Sequence, residues 1–179
     1  MRKFAYYFAR KLAHHGVISS NECDVFRYGC EVILSVSSFC LMALVISSLT
    51  GMTEYMAVFL MSFFILRCFV GGYHAETPEK CFAVSSLVTV LCLLGSLLPR
   101  VTSLIIVFLS IMIMWRRAPK VHSESLIFSQ PVSVHRYRAR LAIIIESVIF
   151  LALCAVGLNE MAGVMAVTYL AITLSLFST

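Results

Sequence analysis

Six apolar runs dominate the sequence, at about residues 32–50, 54–71, 82–98, 101–115, 141–158 and 161–177. A helix that crosses the hydrocarbon core of a bilayer needs about 17–25 largely apolar residues. Once there, it must satisfy its own backbone hydrogen bonds, because lipid supplies no partners. Runs of this length predict an all-α polytopic membrane protein with about six transmembrane helices. The count falls to four if the short fourth run and the second, which carries Arg67 near its end, are re-entrant. The rest of the 179 residues agrees. Charged residues make up 13% and hydrophobic ones 60%, with a mean hydropathy of +0.94. A soluble domain is about 25% charged, so soluble, disordered and nucleic-acid-binding classes are excluded. No repeat or linker divides the chain. It reads as one domain over 1–179, with an interfacial segment at 1–28, membrane helices over 29–179, and loops near 67–81 and 116–140.

The positive charges set an orientation. All but Arg100 of the 14 Lys and Arg precede the first run (Arg2, Lys3, Arg10, Lys11, Arg27), lie at the end of the second or after it (Arg67, Lys80) or follow the fourth (Arg116, Arg117, Lys120, Arg136, Arg138, Arg140). Cytoplasmic loops carry the excess of Lys and Arg. Both termini and the two longer loops are therefore expected on the cytoplasmic side of a plasma membrane. At the start of the chain Phe4, Tyr7, Phe8 and Leu12 share one helical face, with Arg10, Lys11 and His14 on others. That pattern predicts an amphipathic helix lying on the inner leaflet, stopped near Gly16. Ser19 and Glu22 have the spacing of a capping box for the next helix. No removable signal peptide is evident.

Seven cysteines stand at 23, 30, 40, 68, 81, 92 and 154, none in a C-x-x-C pair. Most sit in apolar runs, where a free thiol behaves as a small hydrophobe. Cys81 differs. Residues 67–81 read RCFVGGYHAETPEKC, a gathering of polar and conformationally special residues in a chain poor in them. Gly71 and Gly72 permit backbone angles closed to other residues and end one helix. Thr77 as N-cap and Pro78 at the first helical position start the next, which puts Cys81 in its first turn. In a continuous helix His74 and Cys81 would lie about 10.5 Å apart along the axis, too far for a hydrogen bond. The Gly-Gly break and the new start at Pro78 allow the turn to fold His74 back over Cys81. A helix N-terminus and an imidazolium both favour the thiolate, the nucleophilic form, and free backbone N–H groups there can stabilise an oxyanion. A lone His near a Cys at a membrane interface is, against this, commonly structural. Cys68 is the competing thiol, without the helix-start environment.

The stretch R-x3-GGYHA-x5-C followed by an apolar helix resembles the active-site signature of the accessory gene regulator B family, bacterial membrane peptidases that process quorum-sensing pheromone precursors. The similarity extends to the amphipathic start, the N-E-C-D-V-F-R-Y-G lead into the first span and the basic region between the fourth and fifth spans, although that region is less lysine-rich than the family's. The resemblance implies His74 as catalytic histidine and Cys81 as nucleophile, with Arg67, Gly71 and Gly72 at supporting positions of the active-site turn, beside Thr77 and Pro78. It also implies a precursor peptide with an amphipathic N-terminus and an acidic tail, whose internal cysteine or serine captures the acyl group as a cyclic thiolactone or lactone.

No Asp or Asn stands at an obvious spacing to orient His74; Glu31, Glu76, Glu79 and Glu146 are the candidates. Glu146 falls inside the fifth run, where a carboxylate normally has a purpose or a partner, Arg67 being one candidate. Arg116, Arg117, Lys120, Arg136, Arg138 and Arg140 form a basic field that orients helices and touches anionic lipid, or attracts the acidic tail the family implies. The small residues from Gly157 to Gly163 offer a face for another helix and a homodimer. No cofactor, metal or nucleic acid is expected: H-E-x-x-H is absent, and His14-His15 lacks its spacing. The alternative reading is a small membrane transporter or exporter of a peptide, with the Cys–His pair structural. It has Glu146 in its favour but no paired repeat of broken helices. A non-enzymatic membrane partner is the remaining rival.

Overall fold

A computed structural model describes residues 2–14, 19, 23–72, 78–119 and 132–177. Among these residues there are seven α-helices and no strand: α1 (Arg2–His14), α2 (Cys23–Thr50), α3 (Thr53–Val70), α4 (Pro78–Leu94), α5 (Arg100–Arg117), α6 (Val132–Val156) and α7 (Asn159–Ser175). A 3₁₀ turn at Gly95–Leu97 extends α4. Cys23–Thr50, Thr53–Val70 and Ser133–Val156 are each long and apolar enough to cross a membrane, and Phe82–Leu97 is a shorter apolar helix. The chain is an all-α membrane protein.

Two helices, α2 and α6, start well before their apolar runs. On α2, Arg27 pairs with Asp24 at 3.3 Å and with Glu31 at 3.9 Å, the i,i+3 and i,i+4 spacings that support a helix outside the hydrocarbon. α6 begins at Val132, directly after Pro131, and so carries Arg136, Arg138 and Arg140 on its first turns. Pro119 and Pro131 bracket the connection from α5, as a ring without an N–H requires. Gly16, Glu22 and Lys120 lie outside the described residues.

The chain divides into two compact units, residues 1–49 with 74–87 and residues 50–73 with 88–179. In the first, α1 leaves Tyr6, Tyr7 and Phe8 exposed while Ala9 is buried, and the Arg10 guanidinium lies 5.9 Å over the Tyr6 ring. Tyr7 and Phe8 belong to the face expected to enter lipid, and the Phe4 side chain lies outside the described residues. On α2, Phe39, Ala43 and Ser47 are buried at four-residue intervals, a single stripe. Ser86 of α4 lies 2.9 Å from Met42 Sδ and donates to the Phe82 carbonyl at 2.8 Å.

The second unit is built around α7, which packs against α3, α5, α6 and the 3₁₀ turn. Ala162, Met165, Ala166, Tyr169, Ile172 and Leu176 are buried among Leu66 and Val70 of α3, Val107 and Met114 of α5, and Ile143 and Phe150 of α6. Small residues let the helices approach, as packing within lipid demands. A Cβ on Gly95 would stand 2.7 Å from the Gly163 carbonyl oxygen and 2.8 Å from Val167 Cγ2. Gly163 thus packs against Gly95 within the chain. Gly157 instead makes the α6–α7 turn, at φ +90° with open space around it.

Contacts at both ends of this unit fix helix direction. Tyr55 at the start of α3 donates to Glu160 at the start of α7, and Gly72 beyond the end of α3 meets Ser175 at the end of α7. The two helices are therefore parallel. α5 runs the same way, since Arg117 at its end stacks on Phe177. α6 runs against them, with Arg140 near its start over Trp115 near the end of α5. One end of the unit gathers Arg67, Arg116, Arg117, Arg136, Arg138 and Arg140. Arg100 and Glu160 sit at the other.

Candidate active site

The site begins where α3 stops. Gly71 closes the helix at φ 82°, ψ −153°, and Gly72 follows at φ +139°. Both lie in the left-handed region that a Cβ penalises, so two successive glycines are what this break requires. Arg67, one turn before the helix end, turns its side chain along the break. Its Nη1 donates to the Gly71 carbonyl at 3.5 Å, a long bond that ties the guanidinium to the carbonyl end of its own helix, where a cation is favoured. A Cβ built on Gly72 would collide with that Nη1 and with Ser175 Oγ. Gly72 is thus required twice, by its angle and by the crowding around it.

His74 and Thr77 lie outside the described residues, as does Glu76. α4 starts at Pro78 as the Thr77-Pro78 punctuation predicts, and Cys81 is in its first turn. The side chains of Pro78, Glu79 and Cys81 lie outside the described set. Cys81 nevertheless occupies the amide end of a helix, where unpaired N–H groups and the positive end of the backbone dipole meet. Cys68 is exposed at the carbonyl end of α3. Of the remaining cysteines, Cys23, Cys30 and Cys40 are half-buried and Cys92 and Cys154 buried, all as free thiols.

Glu146 is buried at 2% exposure, and its Oε2 accepts a 2.8 Å hydrogen bond from Ser62 Oγ on α3. The partner found for this carboxylate is a hydroxyl, where Arg67 was one candidate. Ser62 is equally buried, so the pair forms a polar bridge between α3 and α6 inside an apolar packing. Next to it on α6, Ser147 Oγ donates to the Ile143 carbonyl at 2.6 Å and lies 3.4 Å from the Tyr169 hydroxyl. Of the carboxylates considered as orienting groups for His74, Glu146 is engaged by Ser62 and Glu31 by Arg27.

Arg116 and Arg117 are exposed at the end of α5, and the Arg117 guanidinium lies 4.0 Å over the Phe177 ring. With Met112, Ile113 and Phe177 they line a pocket of about 300 Å³. Arg136 and Arg138 are exposed on the first turns of α6, whereas Arg140 is half-buried with its guanidinium 4.9 Å over Trp115. No group of three or more His, Cys, Asp or Glu able to hold a metal occurs among the described residues. Ser62, Ser175 and Phe177 escaped the sequence reading. A serine in an apolar helix usually bonds its own backbone, and nothing local shows which of them meets another helix.

The whole chain, residues 1–179, matches the family model described as Accessory gene regulator B. The chain belongs to the accessory gene regulator B family. No curated protein and no solved structure matches it. Membership places it in the membrane and in quorum-sensing peptide processing. In this accessory gene regulator B chain, α3 ends at the Gly71–Gly72 break and α4 starts at Pro78.

Proposed function

We propose that the chain is a membrane-embedded cysteine endopeptidase that cleaves the C-terminal part of a pheromone precursor at the cytoplasmic face and promotes cyclisation of what remains. The single observation that supports this best is the whole-chain family match, taken with Cys81 in the first turn of a helix opened by Pro78. In this reading His74 accepts the Cys81 proton and the thiolate attacks a peptide carbonyl. The carbon–nitrogen bond breaks, and the proton held by His74 passes to the departing amine. The product is a thioester acyl-enzyme.

An internal cysteine or serine of the substrate then gives its proton to His74 and attacks the thioester. Cys81 leaves as the thiolate, and the ring closes as a thiolactone or lactone. Exchange of one thioester for another conserves the bond type. The protein must therefore hold the internal nucleophile close and keep water out. A serine nucleophile on the enzyme would give an ester of lower acyl-transfer potential, which is why a cysteine suits the task.

The cluster of Arg116, Arg117, Arg136, Arg138 and Arg140 at the same end of the second unit as Gly71 and Gly72 supports attraction of an acidic substrate tail. Lys120 belongs to the same field by sequence. Coexpression with the cognate precursor tests the chemistry: Cys81→Ala is expected to abolish processing and Cys68→Ala to retain it. Retained processing in Cys81→Ala would contradict the proposal, and loss in Cys68→Ala alone would move the nucleophile to that thiol.

A further inference from the structure

The pocket of about 300 Å³ at the ends of α5 and α7 is lined by Met112, Ile113, Arg116, Arg117 and Phe177. Its two parts differ in chemistry. Met112 and Ile113 stand one helical turn before Arg116 and Arg117 on α5, so each arginine follows an apolar side chain on its own face. Phe177 is placed by the turn that closes α7. Its N–H donates to the Leu174 carbonyl at 3.0 Å and that of Leu176 to the Thr173 carbonyl at 3.1 Å, while Leu176 is buried in the core. The Arg117 guanidinium lies 4.0 Å over the Phe177 ring. An arginine stacked on an aromatic face keeps its N–H edge, the fork that fits a phosphate. Among the described residues neither Arg116 nor Arg117 has a carboxylate partner, the ion pairs there being those of Arg27.

Leading to the pocket, one face of α5 is open along its length. Ile105, Phe108, Leu109 and Met112 are all exposed, at the i, i+3, i+4, i+7 spacing of a single helical stripe, and Arg116 continues it. From Ile105 to Arg116 the helix rises about 17 Å, close to the roughly 15 Å of one leaflet's hydrocarbon. We propose that this stripe and the pocket at its end bind one phospholipid with an anionic headgroup. An acyl chain lies along α5, and the phosphodiester meets Arg116 and the N–H edge of Arg117. The charges select an anionic headgroup over a zwitterionic one. The ammonium of phosphatidylcholine or phosphatidylethanolamine would be carried toward two guanidiniums, and like charges at that range repel. Arg136 and Arg138 on α6 are outside the pocket and remain for an acidic tail. This binding requires neither His74 nor Cys81.

The chain contains one tryptophan, Trp115, which directly precedes Arg116, so its fluorescence reads the lipid at this end of α5. The full-length protein is reconstituted in bilayers of dibrominated phosphatidylcholine, whose bromines quench tryptophan, and phosphatidylglycerol is titrated in at about 0.15 M salt. Recovery of emission gives the affinity for phosphatidylglycerol relative to phosphatidylcholine. One basic side chain at an anionic lipid is worth about fivefold in binding, and two together more than about tenfold; the parent protein is expected to show that preference. Arg117→Gln is expected to lower it about fivefold. Arg100→Gln, which removes a charge at the opposite end of α5, leaves it unchanged. Phe177→Leu keeps every charge and removes only the ring under Arg117, and is expected to lower the preference about threefold. Arg117 and Phe177 are both exposed, so neither change disturbs the core.

Equal affinity of the parent protein for the two lipids overturns the proposal. A preference that survives Arg117→Gln, or that Arg100→Gln lowers as much, overturns it as well, since the attraction would then lie elsewhere. A preference lost in Arg117→Gln but untouched by Phe177→Leu overturns the pocket and leaves only a charged surface. If the two lipids bind alike, while a hexaglutamate peptide shifts Trp115 emission in the parent and not in Arg117→Gln, the pocket belongs to an acidic peptide and the lipid assignment is overturned.

Discussion

Gly72 shows how much one missing Cβ decides. Its φ of +139° is open to glycine and costs other residues on the order of 1–3 kcal/mol, and Ser175 and Arg67 fill the space a side chain would need. Gly72→Ala is therefore expected to lose most processing, about tenfold or more, even if the protein still inserts in the membrane. Gly157→Ala serves as the comparison: its φ is also positive, at +90°, but nothing lies within 4 Å. It should show the backbone cost alone, read as a lower unfolding temperature with processing retained. At this scale the sequence was legible where residue type alone carries the meaning. Two adjacent glycines announce a helix break, and Thr-Pro announces a helix start. The approach of Ser175 to Gly72 was not legible, because the two lie more than 100 positions apart and serine has no local signature for such a contact.

Among the helices, the contact with the clearest energetic consequence is the bridge from Ser62 on α3 to Glu146 on α6. A carboxylate in an apolar run advertises itself, so the sequence marked Glu146. It could not choose the partner. Charge complementarity pointed to Arg67, but that guanidinium is directed to the Gly71 carbonyl instead, as befits a cation in the last turn of a helix. A buried oxygen stripped of its donor costs about 1–3 kcal/mol, whereas replacing both members by apolar groups of similar shape can be nearly neutral. Ser62→Ala is thus expected to lower thermal stability in detergent. Combining it with Glu146→Leu should recover much of the loss, and strictly additive losses in the double variant would contradict the bridge. The central place of α7 follows from its composition: Ala162, Gly163 and Ala166 permit close approach, and nine of its residues are buried. Its periodicity did not reveal this, because a helix apolar on all sides has no preferred face to read.

For the whole molecule, the apolar runs and the bias of Lys and Arg were enough to foresee an all-α membrane protein. The parallel course of α3, α5 and α7, with α6 opposed, puts nearly all the basic residues of the second unit at one end and Glu160 and Arg100 at the other. This is the alternation that a positive-inside chain requires. Labelling with a membrane-impermeant maleimide, in a variant lacking its own cysteines, checks the orientation. Leu158→Cys, in the α6–α7 turn, is expected to react in intact cells, and Tyr137→Cys, on the exposed face near the start of α6, only after lysis. The reverse pattern would turn the protein over. What the sequence could not supply was the pairing of helices, since lipid-facing and helix-facing residues are equally apolar and only small-residue contacts such as Gly95 with Gly163 distinguish them.

The central claim is that Cys81 carries the substrate during the reaction. The most direct measurement is the intact mass of the full-length protein in nanodiscs after brief exposure to its precursor peptide, with acid quenching. The expected adduct equals the N-terminal part of the precursor, maps to Cys81, is released by neutral hydroxylamine as a thioester must be, and is missing from Cys81→Ala. Processing that proceeds in Cys81→Ala, or an adduct that maps to Cys68 or resists hydroxylamine, would contradict it.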